Sequence, residues 1–273
     1  MSNLNGVSAQ SRAARGAAVL LSCFLSACGP ATIPPGDSVV DRDEAQNREV
    51  HRFNVGVDRY VLSPVADAYG NVVPNPVRTG VSNFSSNLNQ PGYVLNNLLQ
   101  LRIGDAAQNT LRFVLNSTVG IGGIFDPATA IGLDAAETDF GETLHVYGLP
   151  EGAYTELWFL GPSTSRHALG RVVDFAMNPT RVLIDAPQST YVGTADTLDI
   201  LNQRYELDGV IDGVLYDSAD SYAAARSLYL QQRRFQLSRG SERDDGLLNV
   251  LIDLDGSGTT QPGVVGGPGS DVY

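Results

Sequence analysis

A cysteine behind a short apolar run, three histidines and a glycine-rich segment are the residues of this chain whose types could do chemistry. Cys28 follows Leu25-Ser26-Ala27, which close the apolar run Ala17 to Leu25. Arg12 and Arg15 precede that run, and no acidic residue interrupts it. A basic start, an apolar middle and small residues at the cut make a secretory signal peptide. The order Leu-Ser-Ala-Cys resembles a bacterial lipobox, which implies cleavage before Cys28 and attachment of acyl chains, palmitate among them, to that residue; an ordinary signal peptide with a chance cysteine is the alternative. One such chain holds a protein to a membrane only marginally, at about 0.8 kcal/mol per buried methylene, whereas several hold it for good.

Other chemistry finds little support. His51, His145 and His167 stand far apart, with no His-Glu-x-x-His pair. Gly161-Pro162-Ser163-Thr164-Ser165 lacks the glycine pattern of a nucleophile elbow. Gly120-Ile121-Gly122-Gly123 lacks the third glycine of a dinucleotide fingerprint. Asp253-Leu254-Asp255-Gly256-Ser257-Gly258 echoes a calcium loop without its spacing or closing glutamate. The chain has no lysine, which excludes a Walker A loop, a Schiff-base lysine and a Ser-x-x-Lys nucleophile. Cys28 is the single cysteine expected after cleavage, too few for a disulfide or a zinc cluster. No catalytic site, metal or cofactor is expected. Loss of Arg12 and Arg15 from 18 basic and 30 acidic residues leaves a mature charge of −14. Such a surface does not seek nucleic acid.

The elements that position these residues read as helices. Residues 1–27 are the signal peptide, and 28–40, with Pro30, Pro34, Pro35 and Gly36, form a lipidated tether. The folded body covers 41–237, and 238–273 form a mostly disordered tail in which Leu247 to Ile252 supply a short docking element. Val50, Phe53, Val57, Tyr60 and Val61 recur at helical spacing until Pro64. Pro91 suits the first turn of a helix through Leu99, and Gly104 marks a break or kink before Ala107 to Leu115. Ser163 or Thr164 caps a helix through Ala176; others cover Ser189 to Tyr205 and Ser221 to Phe235. Val119 to Gly132 is a long glycine-rich connection, and Thr143 to Tyr147 is the best strand signal. For each amphipathic helix, packing into a water-soluble core competes with an apolar face turned to lipid, and periodicity does not separate them.

Several segments in order resemble the MlaA/VacJ lipoproteins. They are Asp43-Glu44-Ala45-Gln46-Asn47-Arg48 with Phe53-Asn54, then Arg78 to Phe84 with Asn87-Leu88 and Pro91. Arg112 to Ser117, Val119 to Asp126, Asp139 to Leu144 with Tyr147-Gly148, and Asp220-Ser221-Tyr222 follow. The chain departs from the family at Asp41-Arg42-Asp43, where the family has Asp-Pro before the glutamate, and at Ser221, where it has proline.

The resemblance implies a mainly α fold: a single-domain ring of amphipathic helices around a central amphipathic channel, with a glycine-rich hairpin loop. It implies a lipid-anchored protein on the periplasmic side of the outer membrane that removes misplaced phospholipid from the outer leaflet. Its partners would be trimeric porins and a periplasmic carrier, MlaC. A lipoprotein that tethers porins or envelope without moving lipid is the alternative. Under the transport reading Gly120, Gly122, Gly123, Ile124, Phe125 and Asp126 line the lipid path, the glycines allowing close approach and unusual backbone angles. A plain surface loop is the competing role for that segment. Arg48 or Arg52 would meet a headgroup, or pair with Asp43 or Glu44.

Overall fold

The computed structural model describes residues 40–180 and 188–254. The signal peptide, Cys28 and the tether up to residue 39 lie outside the described residues. Two compact units divide between Gln231 and Gln232.

The first unit is mainly helical. Helix α1 (Glu44–Val57) runs into a π-helical turn, Asp58–Leu62, and then α2 (Ser63–Val72). Pro64 does not stop the chain as expected; it sits in the first turn of α2, where its missing N–H is not needed. Helix α3 (Asn75–Leu99) carries Pro91 in its interior rather than at its start. The helix continues because both flanks are held: Ser85 donates to Asp196 (2.8 Å) and Asn96 to Asp174 (2.8 Å). Helix α4 (Ile103–Thr118) follows the break near Gly104, with a short α5 (Pro127–Ala130) and α6 (Phe140–Val146) behind it. The expected strand Thr143 to Tyr147 is thus part of a helix. Asp139 caps α6 by accepting from Glu142 N–H (2.8 Å), and the buried Thr143 hydroxyl bonds Asn96 (3.0 Å), so capping and tertiary bonding override its β preference.

The strands lie further along the chain, just before the helix Ser165–Met177. β1 (Tyr154–Leu157) pairs antiparallel with β2 (Gly161–Thr164), Tyr154 opposite Thr164 and Leu157 opposite Gly161. Thr164 caps α7 (Ser165–Met177), as expected, by accepting from His167 N–H. Helices α8 (Gln188–Glu206), α9 (Asp208–Leu215) and α10 (Ser221–Leu254) complete the order. Helix α10 crosses into the second unit and runs on to Leu254, through residues expected to be tail. That stretch mixes leucines with arginine and acidic residues and meets no proline before Pro262, so nothing in it stops a helix. Residues from 255 onward lie outside the described ones.

The polarity of this unit is inverted. The face of α4 turned inward carries Ala106, Asn109, Arg112 and Asn116, while Leu111 (54 % exposed) and Val114 (50 %) face out. On α3 the buried positions include Arg78, Ser85, Asn87, Gln90, Asn96 and Asn97, while Val77 and Leu98 are exposed. Helix α7 buries Arg166 and exposes Val172 and Phe175. The apolar cluster among described residues is small: Tyr154, Tyr222 and Leu230, with Tyr229 packed against it.

Buried polar side chains are costly unless hydrogen-bonded, and here most bond one another. Asn109 clamps the Ala136 peptide from both sides, donating to its carbonyl (2.8 Å) and accepting from its N–H (3.0 Å). Gln100 donates to Thr138 (2.7 Å) and Thr143 (2.9 Å), and Arg102 pairs with Glu142 (2.6 Å). These bonds lay residues 136–143 across α3 and α4. A second centre is Arg204, which meets Asp58 (2.9 Å), Asp208 (2.7 Å) and Asp212 (2.7 Å), while the Tyr216 hydroxyl also donates to Asp58 (2.6 Å). Burial works against the Arg204 charge, but the three carboxylates outweigh it and raise its pKa. The bonded Asp58 opens the π-helical turn and ties it to α8 and α9.

Removing one partner of a buried pair strands the others without compensation. Arg204→Ala is expected to lower unfolding free energy by about 3–5 kcal/mol, read by denaturant melts in mild detergent. A loss below about 1 kcal/mol would remove this cluster from the account.

Candidate functional site

Two neighbouring concavities flank the crossing of α3 and α8. One is a groove of about 1010 Å3 with an apolar lining. Its walls are the first half of α3, with Val77, Val81 and Phe84; the α4–α5 loop, with Ile124 and Phe125; and Thr194, Ala195 and Leu198 of α8. The other is a cavity of about 560 Å3 with a mixed lining, in which polar side chains stand beside Tyr93, Leu95, Phe140, Met177 and Ile200. Asn89 and Asn96 of α3, Asp196 and Asp199 of α8, Asp174, Arg171 and His167 of α7, and Asp139 line it. The Ser85–Asp196 bond stands at the crossing. The same two helices therefore present an apolar flank to one space and a more polar, mixed flank to the other. That is the lining an amphiphile needs: acyl chains gain from the first, and a charged headgroup, costly to bury in an apolar medium, finds partners in the second.

The glycine-rich loop supplies one wall of the groove through Ile124 and Phe125. Ile121 (φ 53°), Gly122 (φ 73°) and Gly123 (φ 99°) take left-handed backbone in succession. A Cβ on Gly123 would lie 2.6 Å from that of Asn87, so the loop reaches α3 only because this residue has none. A Cβ on Gly120 would lie 2.3 Å from the Phe125 carbonyl oxygen, which blocks the fold of the loop on itself. A Cβ on Gly122 would meet nothing within 4 Å, so only its backbone angle demands glycine. Asn83 donates to the Ile124 carbonyl (3.1 Å), and Asn87 to that of Gly122 (3.4 Å). Asp126 accepts from Arg112 (3.0 Å), Asn116 (2.9 Å) and both the N–H (3.0 Å) and hydroxyl (2.7 Å) of Thr129.

Of the six residues expected to line a lipid path, Ile124 and Phe125 reach the groove, while Gly120, Gly122, Gly123 and Asp126 shape and hold the loop. Cys28 lies outside the described residues. The opposite walls went unassigned in the sequence, although Val77, Val81 and Phe84 fall at helical spacing there. Arg48 pairs bidentately with Asp220 (3.0 and 2.9 Å) and with Glu44 (2.8 Å), and Arg52 with Glu49, so ion pairing occupies both. His51 is buried between Glu156 (3.3 Å) and Ser221 (3.1 Å). The row has the order of nucleophile, base and orienter, but His51 and Glu156 are buried and Glu156 also accepts from the Tyr154 hydroxyl (2.6 Å), so the row is fastened inside the fold. The row ties α1, the hairpin and α10 together.

Known proteins resemble this chain over most of its length. A family model described as MlaA lipoprotein matches residues 39–236. The intermembrane phospholipid transport system lipoprotein MlaA of Shigella flexneri is 35% identical over 206 residues, covering 73% of this chain and 78% of that protein. The protein of the same name from Escherichia coli K12 is 34% identical over 206 residues, with the same coverage of 73% and 78%. A solved structure from work on the structural basis for maintenance of bacterial outer membrane lipid asymmetry shares 32% identity and a TM-score of 0.61. The match covers 72% of this chain and 99% of that one.

Burial pushes the Asp126 carboxyl up, but its hydrogen bonds from Thr129, Asn116 and Arg112 outweigh this and hold its pKa at about 2. A depressed carboxylate stabilises the fold above its ordinary pKa and loses that contribution as pH falls through the lower value. The Asp126 contribution, of order 2 kcal/mol, should therefore persist at pH 5 and fade between about pH 4 and 2. Asp126→Asn should flatten the stability profile in that window; an unchanged profile would show that the carboxylate does not hold the loop. Likewise Gly123→Ala should speed amide exchange across 119–126 more than Gly122→Ala does, and the reverse order would contradict the Asn87 contact.

Proposed function

The chain belongs to the MlaA lipoprotein family, and from that premise we propose that it takes misplaced phospholipid from the outer leaflet of the outer membrane and delivers it towards the periplasm. The observation that carries this reading is the inverted polarity. Exposed Leu111, Val114, Val172 and Phe175 suit acyl chains, while the interior is closed by polar side chains that bond each other. No helix among the described residues is long and apolar enough to cross a membrane. Helices of this kind suit burial within one leaflet, with backbone groups satisfied inside each helix.

In this reading acyl chains on Cys28 hold the mature protein to the periplasmic leaflet of the outer membrane, and the helical domain of residues 41–237 lies within that leaflet. The groove of Val81, Phe84, Ile124, Phe125 and Leu198 takes the acyl chains of a lipid in transit. The more polar cavity on the other flank of α3 and α8 takes the headgroup, so the phosphate never enters bare hydrocarbon. Together they form the amphipathic channel, walled on one side by the glycine-rich loop. A periplasmic carrier of the MlaC type receives the lipid, and trimeric porins hold the assembly in place. No bond is made or broken, and no cofactor takes part.

Thr194 lines the groove from an exposed position on α8, so a large side chain there fills the space with little cost to folding. In a strain lacking the protein, Thr194→Trp at wild-type abundance should leave phospholipid on the cell surface, as deletion does. Surface labelling of phosphatidylethanolamine and detergent sensitivity read this. Full clearance by Thr194→Trp would exclude the groove, and unchanged surface lipid on deletion would favour a tethering role without transport.

A further inference from the structure

The turn between β1 and β2 carries a set of exposed rings that neither the groove nor the acyl anchor uses. Trp158, Phe159 and Leu160 are 55 %, 72 % and 59 % exposed at its tip. Phe53 of α1 meets both rings edge-on, its centroid 4.8 Å from Trp158 and 5.1 Å from Phe159. Phe159 takes left-handed backbone (φ 63°), a conformation that strains an aromatic residue and that glycine would adopt freely. The side chain is thus kept at the tip against local preference.

Asn54 holds it there. Its amide donates to the Leu157 carbonyl (2.9 Å) and accepts from Phe159 N–H (2.9 Å). Leu160 N–H bonds the Leu157 carbonyl (3.2 Å), and Arg171 donates to the Leu160 carbonyl (3.3 Å). These polar groups of the turn are satisfied within the chain, while its side chains stay bare.

We propose that this tip is a membrane wedge: Trp158, Phe159 and Leu160 enter the headgroup boundary and upper acyl region of a phospholipid leaflet and fix the depth and tilt of the protein there. A leaflet fits better than a protein partner because backbone groups in lipid need partners within the chain, and here Phe159 N–H, Leu160 N–H and the carbonyls of Leu157 and Leu160 have them. Tryptophan favours that boundary, where its ring is apolar and its N–H stays wet. Arg171, which donates to the Leu160 carbonyl at the base of the turn, brings a positive charge to the level of the lipid phosphates. The proposal rests on the reading that the exterior faces lipid, but adds an anchor that is independent of acylation and of the groove.

Trp158 is the only tryptophan in the chain, so its emission reports the tip alone. The acylated mature protein is reconstituted into vesicles of phosphatidylethanolamine and phosphatidylglycerol carrying bromines high on the acyl chains. The expected result is a blue-shifted emission, quenched by the brominated lipid and protected from iodide. In the non-acylated Cys28→Ala chain, Trp158→Ser with Phe159→Ser should lower partitioning into such vesicles at least about tenfold, the scale of moving rings from lipid to water, with circular dichroism unchanged. Quenching by iodide but not by bromolipid in vesicle-bound protein overturns the wedge. A second reporter, Val114→Trp in a Trp158→Phe background, separates the causes. If Val114→Trp is quenched by bromolipid while Trp158 is not, the wedge alone fails. If neither is quenched, the immersion of the helices fails with it.

Discussion

The hydrogen bonding of a polar interior is the constraint on which the rest of the structure depends. Asn97 and Asn109 hold the Ala136 carbonyl, Gln100 and Asn96 hold Thr143, and Arg204 gathers Asp58, Asp208 and Asp212. In a water-soluble bundle these positions would carry leucine and valine, and apolar burial would supply the cohesion. Here Val77, Leu98, Leu111, Val114 and Val172 lie outside. Directional bonds among amides, hydroxyls and ion pairs set how the helices meet, and each group left without a partner is penalised more heavily than it would be at a wet surface. The fold therefore tolerates an apolar exterior without collapsing onto it.

The site inherits its character from the same arrangement. Because α3 and α8 turn a mixed, more polar flank one way and an apolar flank the other, the spaces beside their crossing differ in chemistry while sharing walls. The glycine-rich loop is held by groups of that interior network: Asn87 and Asn83 from α3, Arg112 and Asn116 from α4. Ile124 and Phe125 are exposed at the groove because the backbone behind them is tied down. A family defined by phospholipid transport has use for this combination, in which an oily seat and a wet seat lie one helix apart.

Helical periodicity made most elements legible in the sequence: α1, α4, α7, α8 and the start of α10 follow their apolar spacing, and Thr164 caps where it was expected. The direction of the apolar stripe was not legible, because Leu111 and Val114 recur alike whether they face a core or a bilayer. Pro64 and Pro91 misled for a related reason. Proline reports a missing N–H and a fixed φ, and tertiary bonds such as Asn96–Asp174 decide whether a helix goes on. Thr143 to Val146 looked extended by residue type and became helical through the cap at Asp139. At the site, the loop was legible from Gly120, Gly122 and Gly123 and from family likeness, whereas the facing walls on α3 and α8 needed three dimensions to bring Val81 and Leu198 beside Phe125. Asp126 was expected in the lipid path, yet its four hydrogen bonds make it a fastening.

The central claim is that the outward apolar faces rest in hydrocarbon while the polar network stays inside. Spin labels at Leu111, Val114 and Val172, on the acylated protein in outer-membrane lipid, test it directly through their collisions with oxygen and with a water-soluble nickel chelate. The account predicts strong relaxation by oxygen and little by the chelate at all three positions. Strong relaxation by the chelate at these positions would place the helices in water and contradict it.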